Sequence, residues 1–136
     1  MSVVEAEVGS SEAVTRGIRV MVEARYAPDY SHPHQGLWFF FYTVTLLNEG
    51  EQTAQLLRRH WVITDGEGRT EDVEGPGVVG EQPVLEPGQS FQYTSGCPLR
   101  TPLGSMHGTY LMQTPSGERF DARVAPFPLN GPYTVN

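Results

Sequence analysis

Three glycines in this sequence have the spacing of a phosphate-binding turn. Gly75, Gly77 and Gly80 form a GxGxxG pattern, which in dinucleotide-binding folds leads into a helix whose N-terminal amides hold the pyrophosphate. Here Pro83 and Pro87 follow the pattern, and prolines at this spacing exclude a regular helix. The pattern therefore predicts either an anion-binding nest of backbone N–H groups or a connection that needs left-handed backbone and close chain approach.

The charge around the glycines separates these two interpretations. Between positions 65 and 86 there is a single base, Arg69, among seven acids: Asp65, Glu67, Glu71, Asp72, Glu74, Glu81 and Glu86. Like charges at short separation in partly exposed surroundings repel by on the order of a few kcal/mol, so these acids oppose a bound phosphate. We expect the glycines to serve folding geometry, with phosphate binding as the alternative. The run from 71 to 74 could hold Mg²⁺ loosely through water, but it is more typical of a solvated hairpin edge.

An arginine pair beside a tryptophan is the strongest basic feature. Strand alternation places Arg58 and His60 on one face and Arg59 on the face of Trp61. A guanidinium over an indole ring gains about 0.5–2 kcal/mol, and Arg, Trp and Tyr dominate binding hot spots. We therefore predict a ligand or partner site formed by Arg58, Arg59, Trp61, Tyr93, Gly75, Gly77 and Gly80. The alternative is that the arginines cap the core and neutralise the acidic hairpin.

The nucleophilic residues do not form a recognisable catalytic set. The sequence contains no lysine, which excludes Schiff-base chemistry. Cys97, Ser95 and Thr94 are candidate nucleophiles and His107 is the candidate base, but their spacing does not bring nucleophile and base together. Cys97 beside Pro98 also has no visible activator. We expect no catalytic residue, no cofactor and no enzymatic activity.

One loop carries three residues of metal-ligating type. Asp29, His32 and His34 lie within the stretch from Ala27 to Gly36. Pro33 separates the two histidines, and no second cluster of ligands supports them. A solvated loop without metal is the expected outcome.

Composition sets the class of protein. A chain of 136 residues is long enough for one domain with a core. Its net charge of −7 argues against nucleic-acid binding, which needs clustered basic side chains. The longest apolar segment, Leu37–Leu47, is shorter than the roughly 18 residues of a spanning helix, so we expect no membrane association. An acidic N-terminus without an apolar run and a lone Cys97 favour the cytoplasm.

Period-2 alternation recurs along the chain and predicts strands. Ile18–Tyr26 alternates cleanly, Leu37–Asn48 is apolar on both faces at one end, and Gln55–Asp65 places Leu57, Arg59, Trp61 and Ile63 on one face. With the turn signals between segments, the pattern predicts an all-β antiparallel sandwich of seven to nine strands. A closed barrel is the alternative.

The alternation also assigns the core and the chain ends. We expect residues 1–15 to be a flexible acidic segment, residues 16–136 to form the single domain, and residues 126–136 to lie extended along the surface. Phe39 and Phe41 lie opposite the Trp38 face with few apolar companions, so we expect the tail, a partner or a second copy to cover them, the last as a homodimer. The predicted core comprises Val20, Val22, Phe40, Tyr42, Val44, Trp61, Ile63, Phe91, Tyr110 and Met112.

Several uncommon segments resemble the ApaG family in one order. They are YTVTLLNEG (42–50), QLLRRHWVITDGEGR (55–69), GPGVVGEQPVLEPGQSFQYTSGCPL (75–99) and TPLGSMHGTYLM (101–112). The resemblance implies an immunoglobulin/fibronectin type III-like sandwich. Bacterial members often lie beside a diadenosine tetraphosphate hydrolase and carry a cobalt/magnesium efflux label, and related domains occur in eukaryotic F-box proteins and a polymerase-delta-interacting protein. His32, His34 and Cys97 depart from the family pattern and inherit no role from it.

The resemblance implies a small non-enzymatic binding module that recognises a protein or a small ligand. One alternative is a nucleotide or pyrophosphate binder, or weak hydrolase, that uses the Gly75–Gly80 loop with Arg58 and Arg59. Another is an indirect role in cobalt/magnesium homeostasis, since a chain without a spanning segment cannot itself pump ions.

Overall fold

The computed structural model describes residues 2–135, and strands make up most of them. Two short 3-10 helices, Pro28–Tyr30 and Pro33–Gln35, lie between the third and fourth strands. No helix within residues 2–135 is long and apolar enough to cross a membrane. The strands are β1 (Ser2–Val4), β2 (Gly9–Thr15), β3 (Ile18–Tyr26), β4 (Trp38–Asn48), β5 (Ala54–Asp65), β6 (Thr70–Pro76), β7 (Val84–Leu85), β8 (Ser90–Leu99), β9 (Leu103–Gln113), β10 (Arg119–Asn130) and β11 (Tyr133–Val135).

Two antiparallel sheets face each other across one core. The four-stranded sheet has the order β2-β3-β4-β8, and the five-stranded sheet has the order β10-β9-β5-β6, with β7 also paired to β5. A small third sheet joins β1 to β11 near the chain ends. The nine strands that the described residues contribute to the two main sheets confirm the predicted antiparallel β-sandwich of the immunoglobulin/fibronectin type III-like class.

The inward-facing residues follow the alternation for most of the chain. On β4, Phe40, Tyr42, Val44 and Leu46 are all buried, and each is separated from the next by a more exposed residue. Eight of the ten predicted core residues are buried, and Ile63 and Phe91 are partly buried against them. Burial of a large apolar side chain contributes about 1.5–3 kcal/mol, so this stripe is a main source of stability.

A β-bulge in β5 changes which residues face the core. Leu56 pairs with Met112 and Arg58 pairs with Leu111, so Leu57 is the extra residue on its strand. Leu56 and Trp61 are consequently both buried, although strict alternation would place them on opposite faces. The prediction that Leu57 shares the inner face with Trp61 is therefore wrong, and Leu56 takes that position.

One edge of the sandwich is sealed by the two chain ends. β2 pairs with β3 along its full length, and the Ser11 hydroxyl donates to the carbonyl oxygen of Ala125 at 2.7 Å. The amide of Arg123 donates to the Thr15 hydroxyl at 3.0 Å. These bonds join β2 of the four-stranded sheet to β10 of the five-stranded sheet.

Both chain ends therefore differ from their predictions. Residues 2–4 and 9–15 form strands rather than a flexible segment, and Met1 lies outside the described residues. Residues 126–130 continue β10, with Phe127 and Leu129 in the core, instead of lying on the surface; Asn136 lies outside the described residues. The alternation was hidden because β2 is rich in Ser, Glu and Ala, and because a bulge between Val124 and Phe127 shifts the register of β10.

The opposite edge of the sandwich is open. Within the described chain, β6 and β8 each pair with a neighbour on one side only. A cleft lined by residues of both strands lies between them. These two strands therefore end their respective sheets on the same side of the molecule. The interior is thus accessible from the β6–β8 edge and closed at the β2–β10 edge.

Candidate ligand-binding cleft

The open-edge cleft, as we name the cavity between β6 and β8, has a volume of about 210 Å³. Arg59 and Trp61 of β5 and Val73 of β6 line it from the five-stranded sheet, and Tyr42 of β4 and Ser95 of β8 line it from the four-stranded sheet. Strand pairing sets these positions, since Arg59 is opposite Gly75, Trp61 is opposite Val73, and Tyr42 is opposite Ser95. The cleft therefore combines an apolar base with hydroxyls and one guanidinium.

The Arg59 guanidinium is held by backbone carbonyls. Its Nη1 atom donates to the carbonyl oxygens of Pro76 and Gly77, both at 3.1 Å. A Cβ added at Gly75 would lie 2.9 Å from Nη1 and 3.0 Å from Nη2, so a glycine lets the group pack against the strand. Among the described residues Arg59 forms no cation–π contact with Trp61, whereas Arg16 lies over a ring, 4.7 Å from the centre of Phe120.

Arg59 has no ion-pair partner among residues 2–135. Burial raises the pKa of the hydroxyls of Tyr42, Tyr93 and Tyr110 above the usual value, and the Arg59 charge opposes this effect at all three. At Tyr42 the side chain of Ser95, its cross-strand neighbour, also opposes it. The Arg59 charge is therefore close enough to influence all three buried hydroxyls.

Trp61 and Tyr93, predicted as contact residues, belong to the core. Trp61 is 2% exposed, and its ring makes edge-to-face contacts with Tyr42, Tyr110 and Phe127. Its Nε1 is buried and has no hydrogen-bond partner in the described chain. The Tyr93 hydroxyl is bonded to that of Tyr110 at 2.5 Å. Trp61 thus forms the base of the cleft, while Tyr93 lies in the interior with its hydroxyl already engaged.

Arg58 lies on the other face of the five-stranded sheet. It is exposed beside His60 and Asp121, in a shallow depression of about 250 Å³. The predicted separation of Arg58 and His60 from Trp61 agrees with this arrangement. His60 Nε2 is 3.1 Å from Oδ2 of Asp72. Arg59 borders this depression as well as the cleft, whereas Arg58 does not line the cleft.

The glycine-rich loop closes on itself and on β5. The Gly77 amide donates to the Leu57 carbonyl at 2.8 Å, and the amides of Val78 and Glu81 donate to each other's carbonyls at 2.8 and 2.9 Å. The turn between them has positive φ at both Val79 (44°) and Gly80 (81°), as a type I′ turn requires. Since these amides are engaged within the fold, the geometry favours the folding role of the motif over an anion nest.

The candidate nucleophiles and base remain apart. Burial raises the pKa of the Cys97 thiol to about 12, so the thiol is protonated at neutral pH. Ser95 lines the cleft, whereas the Thr94 hydroxyl is bonded to that of Thr43 at 2.8 Å. His107 is an exposed residue of β9, in the other sheet.

The described part of the chain contains no group of three or more His, Cys, Asp or Glu residues that could hold a metal ion.

The loop that carries Asp29, His32 and His34 packs against two aromatic residues of β4. All three residues are exposed around the two 3-10 helices. The same loop places Tyr30 against two phenylalanines. The centre of the Tyr30 ring is 5.8 Å from that of Phe39 and 5.1 Å from that of Phe41. The two phenylalanines are therefore half-buried by this loop, and not by the tail as one alternative predicted.

Sequence reasoning missed part of the cleft. Tyr42 was assigned only to the core, Ser95 was interpreted as a strand residue and a weak candidate nucleophile, and Val73 was assigned to no site. The alternation of β8 does place Ser95 on the face of Tyr93, and Tyr93 and Cys97 on either side of it are both buried. Which two strands leave an edge open depends on tertiary topology, for which the sequence carries no local signal.

The sequence profile of the family described as the ApaG domain matches residues 28–114. The chain belongs to the ApaG family. It is 55% identical over 120 residues to a protein named Protein ApaG from Bradyrhizobium sp. (strain ORS 278), across 88% of this chain and 92% of that protein. It is 52% identical over 126 residues to Protein ApaG of Anaeromyxobacter dehalogenans (strain 2CP-C), across 93% of this chain and 99% of that one.

A solved ApaG-like structure has the same fold. The crystal structure described as an ApaA protein from Bordetella pertussis superposes with a TM-score of 0.82 at 50% identity, covering 86% of this chain and 95% of that one. The resemblance to the ApaG family is thereby confirmed. The profile match spans all of the residues that line the open-edge cleft.

Proposed function

We propose that this ApaG-family chain is a non-enzymatic binding module that recognises a small ligand or a protein segment in the open-edge cleft. The observation that carries the proposal is the asymmetry of the sandwich. β2 and β10 seal one edge with hydrogen bonds, while the β6–β8 edge leaves a guanidinium and two hydroxyls accessible beside a buried indole. Concave, largely apolar sites with a few converging polar groups are typical of ligand-binding pockets.

The nucleotide alternative has less support. A phosphate site needs several free N–H groups or cations, and the amides of Gly77, Val78 and Glu81 already bond within the fold. Arg58 lies on the opposite sheet face from the cleft. We expect no hydrolysis of diadenosine tetraphosphate or ATP with Mg²⁺ by the purified protein. Turnover that tracks the protein and disappears in Arg59→Ala would reinstate the hydrolase alternative.

Cleft filling tests the location of the site. A ¹⁵N-labelled sample is titrated with a library of neutral and charged fragments, and amide shifts are mapped. We expect binders to shift residues 59–63, 71–75 and 95–98. Ser95→Leu fills the cleft and should abolish these shifts. Thr94→Leu, the adjacent exposed residue of the same strand, should leave them unchanged. Shifts that map elsewhere and persist in Ser95→Leu would contradict the proposal.

A further inference from the structure

The donors of Arg59 are only partly used by the fold. A guanidinium carries five N–H groups in a fixed fork, and the hydrogen bonds that hold Arg59 both start from Nη1. Within residues 2–135 the Nε–H and the Nη2 hydrogens form no hydrogen bond, and they share the remaining edge of the group. Two adjacent N–H groups of this kind match the two oxygens of a carboxylate.

The electrostatics of the cleft favour one negative charge. A partly buried cation without a counter-charge has lost solvation that an anion would replace, and Arg59 forms no salt bridge with a carboxylate within residues 2–135. Glu71 also lines the cleft but is exposed. A single guanidinium beside one acidic side chain suits a monoanion, whereas a phosphate dianion would meet stronger repulsion from Glu71.

The cleft residues other than Arg59 favour particular chemistry in the uncharged part of a ligand. Tyr42 and Ser95 supply hydroxyls near the charged end. Trp61, Val73 and Met106 supply apolar and aromatic surface. A volume of about 210 Å³ is below the roughly 300–1,000 Å³ of drug-sized pockets. The space therefore suits a fragment-sized molecule with one acidic and one apolar end.

We propose that the open-edge cleft binds a small free monocarboxylate with an apolar or aromatic substituent, its carboxylate paired with the Nε–Nη2 edge of Arg59. This inference rests on the proposed binding function and narrows it to one ligand class. Arg59 is then the residue that determines specificity for the acid. Neutral molecules of the same shape lack the charge that Arg59 requires.

The first test compares three probes on the unmodified protein. Phenylacetate, the neutral phenylacetamide and the dianionic phenyl phosphate are titrated into ¹⁵N-labelled protein. We expect phenylacetate to bind at least about tenfold more tightly than the other two, since hydrogen bonds to charged groups contribute about 1.5–3 kcal/mol. Equal binding by phenylacetamide, or tighter binding by phenyl phosphate, would overturn the inference. Tighter binding by a short peptide that ends in a phenylalanine carboxylate would overturn it too, because the site would then belong to a chain terminus.

The second test uses adjacent arginines as a matched pair. Arg59→Gln should weaken phenylacetate binding at least about tenfold, while Arg58→Gln, the same change on the opposite sheet face, should stay within twofold. Thermal unfolding of both variants checks that they fold, and the probe comparison needs neither of them. If neutral fragments occupy the cleft and Arg59→Gln changes nothing, the carboxylate inference fails and the binding module stands. If no probe or fragment shifts cleft residues, both fail.

Discussion

A Cβ added at Gly77 would lie 2.3 Å from the carbonyl oxygen of Glu81, and Gly77 has a φ of +61°. Gly80 has a φ of +81°, but a Cβ there would meet no atom within 4 Å. The backbone of Gly75 has no positive φ, and its side is covered by Arg59. The glycines of one motif are therefore required for three physical reasons.

These reasons predict graded effects of alanine. Gly80→Ala loses stability only through the strain of a left-handed backbone conformation, about 1–2 kcal/mol. Gly77→Ala has the same strain and, in addition, a steric clash of about 1–3 kcal/mol. We expect Gly77→Ala to lower the free energy of unfolding by about 2–5 kcal/mol, the sum of the two effects. Urea denaturation of both variants measures this, and Gly80→Asn serves as a control because asparagine tolerates positive φ. Equal losses for the two alanine variants would contradict the steric account.

Buried acidic groups predict a loss of stability at high pH. The Cys97 thiol has its pKa raised from 9.0 to about 12 in the folded protein, so the unfolded chain releases its proton first. The contribution of the Cys97 thiol to the free energy of unfolding is fully present below about pH 9. It is lost as the pH rises toward 12, at up to about 1.4 kcal/mol per pH unit. Tyr93 and Tyr110, whose pKa values are also raised by burial, add to the loss above pH 10.

Urea denaturation at pH 8 to 10.5 measures this dependence. Cys97→Ala should show a shallower decline between pH 9 and 10 than the unmodified chain, because its unfolded state has one proton fewer to release. Identical slopes would indicate that the thiol ionises alike in both states.

Residue types and spacing predicted part of the candidate site. Arg59 and Trp61 were placed on one face because they are two apart on a strand, and the structure agrees. Tyr93 could not be separated from surface tyrosines, since its partner Tyr110 is 17 residues away. The carbonyls that hold Arg59 are those of Pro76, at the end of β6, and of Gly77, whose amide bonds to the bulged Leu57. No local pattern in the sequence marks that bulge.

At the scale of elements, long apolar strands were the most predictable. On β4, Phe, Tyr, Val and Leu occur at alternate positions, and this pattern determines which side of the strand faces the core. β2 has the sequence GSSEAVT and no apolar stripe, because as an edge strand it buries little beyond its backbone. Its position depends on pairing with β3 and on bonds to β10, which are tertiary contacts.

Removal of the first strands tests this assignment. Deleting residues 1–15 eliminates β2, its ladder with β3 and the bonds to Ala125 and Arg123. We expect a loss of at least about 2 kcal/mol from the two interstrand side-chain bonds alone, together with aggregation through the newly exposed edge. Deleting residues 1–4 is the control and should cost far less, because β1 contacts only the short β11. A fully stable deletion of residues 1–15 would restore the flexible-segment prediction.

At the scale of the whole molecule, one aromatic patch stays accessible. Tyr30, 59% exposed, packs on the half-buried Phe39 and Phe41 at one end of the four-stranded sheet. We expect this aromatic patch to be the contact surface of the predicted homodimer, since aromatic residues are enriched at interfaces. We expect sedimentation velocity to show a reversible dimer at high concentration.

Charge substitution tests the dimer contact. Tyr30→Glu should keep the protein monomeric, because a carboxylate in an apolar interface is strongly unfavourable. Val14→Glu, an exposed apolar residue of the edge strand β2, should leave association unchanged. A monomer at every concentration, or dissociation by Val14→Glu alone, would remove the patch as a contact.

The position of Trp61 gives the protein an optical reporter. The chain has two tryptophans, so Trp38→Phe leaves Trp61 as the single indole fluorophore. Because Trp61 is buried, without a hydrogen-bond partner for Nε1 in residues 2–135, its emission should be blue-shifted relative to an indole in water. Tyr42 and Tyr110, with ring centres 5.3 and 5.9 Å away, should transfer excitation energy to it. A molecule entering the cleft would change the intensity of this emission, so that occupancy can be followed in real time without any label.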